Sequence, residues 1–171
     1  MKKLCALLLA GLLLVGCTPA EPDSTVESTE AVGGETRPAV EFSAEPQACN
    51  SMLEATKLAG FAMGLPDGAG FDVFYNVVPG ELLEAVYVRD GKPYMTIRKG
   101  VGDGDVSAKP VEFTAARTLN MGPYPVTMLD NAGGWVQAAL WTIDDFSFSI
   151  QPGPETLFGT YEITQLIMDI N

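Results

Sequence analysis

The first constraint on this chain is a run of about a dozen apolar residues, Leu4 to Val15, directly behind Met1-Lys2-Lys3. A short positive head followed by a leucine-rich stretch is the pattern of a secretory signal. A helix that spans a bilayer needs about 20 such residues, so this run is too short to persist as a comfortable transmembrane anchor. It is expected to be removed, and no other stretch of the sequence approaches the length of a span. Whatever folds must therefore do so from the residues that follow.

The apolar run closes on Leu14-Val15-Gly16-Cys17, and the sequence then turns polar. This resembles a bacterial lipobox. A thiol can take a diacylglycerol through a thioether, and a small residue before it admits the signal peptidase. The resemblance implies cleavage after Gly16 and acylation of Cys17, with Leu14, Val15 and Gly16 as the recognition box. Each buried methylene contributes about 0.8 kcal/mol, and two acyl chains anchor stably where one does not. The expected location is the extracytoplasmic face of the cell membrane, lipid-anchored, with the membrane itself as the first partner.

Charge and composition narrow the functional classes. The full chain carries a formal charge of −12. Loss of Lys2 and Lys3 with the signal leaves 8 basic against 22 acidic residues, a charge of −14. Nucleic acid demands a basic face, and anionic head groups attract basic segments; this chain offers neither. Of the three cysteines, Cys5 leaves with the signal and Cys17 is acylated, so Cys49 alone remains and no internal disulfide can form. A secreted domain without disulfides must rest on its apolar core, and the roughly 120 residues left are enough for one. The absence of histidine removes the commonest general base and transition-metal ligand. No cofactor is expected.

Residues 18–48 are rich in Pro, Glu, Ser, Thr and Gly, with seven acids against the single base Arg37. Such a stretch cannot bury enough surface to offset its ordering entropy. It is expected to be a disordered acidic tether holding the domain roughly 30 Å off the membrane, with Val40 and Phe42 as the residues in it able to pack on the domain.

From residue 49 to 171 the patterns are those of one α+β domain. Ser51 and Glu54 have capping-box spacing and Gly60 suits a helix end, so a helix is expected over roughly 51–59. Alternation at Phe71, Val73, Tyr75 and Val77 predicts a strand. Leu83 to Arg89 and Tyr94 to Lys99 flank Asp90-Gly91, a tight hairpin signal. Val111, Phe113 and Ala115 alternate; Tyr124 to Leu129 and Trp135 to Thr142 are strand-like; Phe146, Phe148 and Ile150 alternate with serines in the cleanest half-buried pattern of the chain. Ile163, Leu166, Ile167 and Ile170 form one face of a C-terminal helix that Thr160 can cap. The expectation is an antiparallel sheet of about six or seven strands in a meander, with both helices packed on it.

These elements resemble the domain of unknown function 4367 of Gram-positive bacteria. The similarity runs from Leu58-Ala59-Gly60-Phe61 and Leu65-Pro66, through Val86-Tyr87 and Ile97-Arg98-Lys99-Gly100, to Asp105-Val106-Ser107. It continues in Ala139-Leu140-Trp141-Thr142, Phe146-Ser147-Phe148-Ser149-Ile150 and the terminal helix, so that it covers about 55–171. Ser107-Ala108-Lys109-Pro110 departs from that family's pattern, and phenylalanines stand where it has tyrosines. The resemblance implies no activity, and only an analogy to carriers built on a curved sheet.

The candidate chemistry is sparse. Cys49 lacks a base near it in sequence. Asp103, Asp105 and Ser107 have the spacing of a calcium loop's first ligands, but Ala108 and Thr114 stand where that loop needs Gly and Glu. Asp144 and Asp145 are neighbours in a turn, so their carboxylates point apart. Trp135 and Trp141 would share a strand face able to stack on an apolar ligand. Arg89, Lys92, Arg98 and Lys99 gather around the Asp90-Gly91 hairpin as a possible anion or partner site. The reading that results is a non-enzymatic module that binds a protein partner or senses envelope state; the alternative is a carrier of a lipid or other apolar ligand, with Trp135 and Trp141 facing its cavity.

Overall fold

The computed structural model describes residues 29–31 and 37–170. In chain order the elements are β1 (Thr29–Ala31), β2 (Gln47–Cys49), α1 (Met52–Ala59), β3 (Asp72–Val78), β4 (Leu82–Arg89), β5 (Lys92–Val101), β6 (Ala115–Met121), β7 (Tyr124–Asp130), β8 (Val136–Ile143), β9 (Phe146–Pro152) and α2 (Thr160–Ile170). The strands form one antiparallel sheet in the order β1-β6-β7-β8-β9-β5-β4-β3-β2.

The α+β class and the antiparallel sheet agree with expectation, but the strand count and the connectivity do not. There are nine strands rather than six or seven, because β1 and β2 are drawn from the stretch read as tether. Nor is the sheet one meander. β2 to β5 form one run of hairpins and β6 to β9 a second, and the second run returns so that β9 pairs with β5. The link from β5 to β6 must therefore cross β9, β8 and β7. At about 4.8 Å per strand spacing it cannot do so as a tight turn, and residues 102–114 supply the length.

That topology gives the sheet two differently covered faces. On one, Tyr75, Ala85, Ile97, Ile150, Ala139 and Met128 lie in register across six strands. Both helices bury their apolar residues in this core, α1 through Ala55 and Ala59 and α2 through Ile163, Ile167 and Ile170. Ser51 caps α1 by accepting from the Glu54 N–H at 3.2 Å, and Gly60 ends it in the left-handed conformation. The chain after α1 passes against the end of α2 at Gly64, where a Cβ would lie 2.5 Å from the Ile170 carbonyl oxygen. Only glycine permits that approach.

On the opposite face the same register reads Asn76, Glu84, Arg98, Ser149, Leu140 and Thr127, with polar and apolar residues mixed. The β5–β6 link covers it. Val106 is buried there, and a second small cluster forms from Leu129, Ala138 and Leu140 with Val111, Phe113 and Ala116. The expected strand at Val111, Phe113 and Ala115 is thus only partly one: β6 begins at Ala115, and 111–113 belong to the covering link.

The last dozen residues of the expected tether also lie on the domain. Val40 N–H donates to the Asp105 carbonyl at 2.8 Å and Asp105 N–H to the Pro38 carbonyl at 2.8 Å, a parallel bridge. Phe42 approaches Gly100, Ser43 N–H donates to Glu81 at 2.8 Å, and Arg37 bonds Thr142 and Asp103. Composition argued for disorder here, but every one of these partners is distant in sequence, so no local pattern could register them. Among the described residues no helix is long and apolar enough to cross a membrane.

Candidate functional site

Leu14, Val15, Gly16 and Cys17 lie outside the described residues, as does the signal segment 1–16. The two tryptophans do not form the ligand-facing pair that the alternation suggested. Trp141 is wholly buried and stacks on Phe148 at 5.1 Å with planes 10° apart, inside the helix-side core. Trp135 precedes β8, is 41% exposed, and sits in the turn that Asn131 organises by accepting from the N–H groups of Gly133 and Trp135. A register shift between Leu129 and Asp130 pairs Asp130 with Val136, so the simple alternation from Trp135 to Trp141 does not carry through the strand's start.

The basic residues around the hairpin are likewise dispersed. Arg89 lies over the rings of Phe71 and Tyr94 at 4.1 and 4.6 Å. Lys92 pairs with Glu155 at 2.6 Å on the surface. Arg98 points to the link-covered face, where its Nε donates to Glu84 at 2.6 Å and its Nη1 to the Val106 and Ser107 carbonyls. Lys99, one residue on, takes the other face: it donates to the Ala62 carbonyl at 2.7 Å and sits 4.2 Å over the Phe146 ring. Burial holds its ammonium below the ordinary lysine range. Strand alternation separates Arg98 from Lys99, so the four do not converge on one site, although Arg89 and Lys92 line one surface depression.

Cys49 closes β2, short of the helix start where a dipole could activate it. Burial, with a smaller contribution from the Glu54 carboxylate, pushes its thiol upward, the reverse of what a nucleophile needs. Asp103 and Asp105 do not converge as ligands. Asp103 faces Arg37 and Thr142, while Asp105 accepts from the Ser107 N–H at 2.8 Å. No cluster of metal-ligating side chains occurs among the described residues. Asp144, with φ of 53°, occupies the β8–β9 turn as expected.

What the structure does assemble is an open cleft where the start of β5 meets the end of β9. It has a volume of about 380 Å³ and lies between the link at 108–112 and the segment Gly153–Leu157. Its floor carries Thr96, Gln137 and Gln151; Pro93, Pro110, Pro152 and Pro154 stiffen its walls. A second depression of about 430 Å³ adjoins it, sharing Pro93, Thr156 and Leu157 and reaching Arg89 and Tyr94. Gln151 fixes the near wall by accepting from Ala108 N–H and donating to the Lys109 carbonyl at 3.1 Å. Gly153 fixes the far wall through its N–H to the Tyr94 carbonyl at 2.7 Å. None of the cleft-lining amides was singled out in the sequence, because a glutamine on a strand's polar face has no signal of its own. The nearest hint was the turn-rich Asp130–Gly134 segment.

The fold and this cleft define an α+β antiparallel-sheet domain with an amide- and proline-walled groove. Comparison with known proteins gives no matching family model, no matching curated protein and no matching solved structure.

Proposed function

We propose that this chain is a membrane-anchored extracytoplasmic lipoprotein, held by a diacylglyceryl group on Cys17, whose domain is a non-enzymatic binding module that uses the open cleft. The similarity to the domain of unknown function 4367 belongs to this reading and rests on the sequence motifs. The observation that carries the proposal is the cleft itself. It falls in the size range of ligand sites, its walls are pinned by hydrogen bonds, and its floor presents neutral amide and hydroxyl groups.

The way the ionisable side chains are used supports binding over catalysis. Glu84 with Arg98 and Arg117 with Asp130 are ion pairs at 2.6 Å that tie strands and the covering link together. They are committed to structure and stand apart from the cleft. The carrier reading lost its main support when Trp141 proved to be core filling rather than cavity lining.

Site-specific photo-crosslinking in the native host tests the proposal. A benzoylphenylalanine at Thr156, in the cleft, should give a discrete adduct on intact cells that excess unmodified protein suppresses. The same residue at Phe74, 55% exposed on β3, should give none. Equal labelling from both positions, or none from either, would sink the binding assignment.

A further inference from the structure

The chain has four arginines, and three of them are bound to carboxylates: Arg37 to Asp103, Arg98 to Glu84 and Arg117 to Asp130. Arg89 is held differently. Its guanidinium lies over the rings of Phe71 and Tyr94, 4.1 and 4.6 Å from their centres. Such ring contact places the cation and uses none of its N–H donors. Among the described residues no carboxylate stands within ion-pair distance of it. Residues 32–36 cannot supply one. They leave β1, six strands from β4 across the sheet, which is about 29 Å at about 4.8 Å per strand; a segment of that length extends at most about 18 Å.

Arg89 lines the depression of about 430 Å³ together with Lys92, Tyr94, Thr156 and Leu157. Lys92 is paired there with Glu155, but that pair is exposed, and an exposed pair gives up a partner at little cost. Asp90 and Glu155 border the same hollow and repel a ligand of high charge density. Through Pro93, Thr156 and Leu157 the hollow runs into the cleft, whose floor is neutral. Asn131 commits its amide oxygen to its turn, and Gln137 donates to the Trp135 carbonyl. The Asn131 amide N–H, the Gln137 amide oxygen and the hydroxyls of Thr96 and Thr156 supply further donors and acceptors.

We infer that the joined hollows bind an acidic glycan of low charge density, with a carboxylate or phosphate at Arg89 and Lys92 and its hydroxyls over Thr156, Thr96 and Gln137. The fork of N–H donors on an arginine suits an oxyanion. Hydroxyl-rich rings need mixed donors and acceptors, which side-chain amides and hydroxyls supply. Their C–H faces meet Tyr94 and Leu157, the latter 60% exposed. An acyl chain would need a predominantly apolar lining, which neither hollow has. This inference rests on the cleft-binding proposal and adds to it the class of ligand and its anionic anchor.

An array of immobilised neutral, carboxylated and phosphorylated oligosaccharides, with acidic peptides alongside, provides the probe for the detergent-solubilised full chain. Acidic sugars should bind at least about tenfold more tightly than their neutral parents, and whichever acid binds names the oxyanion. Arg89→Gln should remove that preference and weaken binding by about tenfold or more while the domain stays folded by circular dichroism, since Arg89 is exposed. Thr156→Trp, which fills the rim shared by both hollows, should weaken binding similarly. Acidic sugars that bind Arg89→Gln as well as the parent, or neutral sugars that bind as tightly as acidic ones, overturn the anionic anchor. Acidic-sugar binding that Thr156→Trp leaves unchanged overturns the joining of the two hollows. Capture of the peptides instead, or of nothing, overturns the ligand class, and the photo-crosslinks then decide separately whether the cleft binds anything.

Discussion

Replacement of Arg98 by methionine is the sharpest test of how the covering link is held on the sheet. Glu84 is 6% exposed and receives two side-chain hydrogen bonds, from Arg98 Nε at 2.6 Å and from Asn76 Nδ2 at 2.6 Å. Methionine fills much of the arginine stem's volume but leaves the carboxylate with one neutral donor. Breaking a buried ion pair by removing one partner costs about 3–5 kcal/mol. Asn76 remains, which argues for the lower end, about 3 kcal/mol. The Val106 and Ser107 carbonyls also lose their donor, so the covering link should loosen along with the global loss. In urea, at a slope of about 2 kcal/mol/M, the midpoint should fall by about 1.5 M. The assay is urea unfolding of the full chain in mild detergent, followed by tryptophan fluorescence. The paired variant Glu84→Leu/Arg98→Met removes both charges and should recover most of the loss, since apolar replacement of a whole buried pair is often neutral. If Arg98→Met cost less than about 1 kcal/mol, or if the double variant were no better than the single one, the account of this face as a desolvated ion-pair layer would be refuted.

Tyr87 donates to the Pro66 carbonyl at 2.9 Å, and burial, followed by the nearness of Tyr75 and Asp67, pushes its hydroxyl up to about 12. A group whose pKa is raised on folding contributes stability below its unfolded value, about 10, and loses it as pH rises toward 12; absorbance at 295 nm should show a step at about 12 that is missing in Tyr87→Phe, and its persistence would disprove the assignment. Trp141→Ala should cost about 3–5 kcal/mol whereas Trp135→Ala should stay within about 0.5 kcal/mol, as thermal unfolding can check; comparable losses would contradict their opposite placement. Gly153→Ala places a Cβ 1.9 Å from the Pro93 carbonyl oxygen, so the cleft's far wall must shift, and the Thr156 crosslink should drop together with the melting temperature. Cys17→Ala should release the protein from the membrane or leave its signal uncut, and a processed variant that still partitions into the detergent phase would rule out acylation there.

Much of the local structure was legible in the sequence because it is set by neighbours. Ser51, Glu54 and Gly60 mark both ends of α1 through caps that reach no further than four residues. Asp90-Gly91 turns β4 into β5, and Ile163, Ile167 and Ile170 predict α2's buried face by periodicity alone. Serines alternating with Phe146, Phe148 and Ile150 identified β9, although Ser147 and Ser149 proved buried, because the alternation reports side-chain type rather than what covers each face. The amino-acid pattern also sets the expectations of export and of lipid attachment at Cys17, which depend on a linear signal.

Only the tertiary structure decided which strands are neighbours. That β9 returns to pair with β5 forces residues 102–114 across the sheet, and no local propensity encodes a pairing between strands so far apart in the chain. From that one connection follow the burial of Arg98 with Glu84 and the seating of Pro38 and Val40 on the covering link at Asp105. The open cleft between 108–112 and 153–157 follows from it too. A side chain's type and spacing give it a face to show. What it meets there is set by chain segments that sequence distance hides, and in this protein those meetings separate Trp141 in the core from Trp135 at the surface.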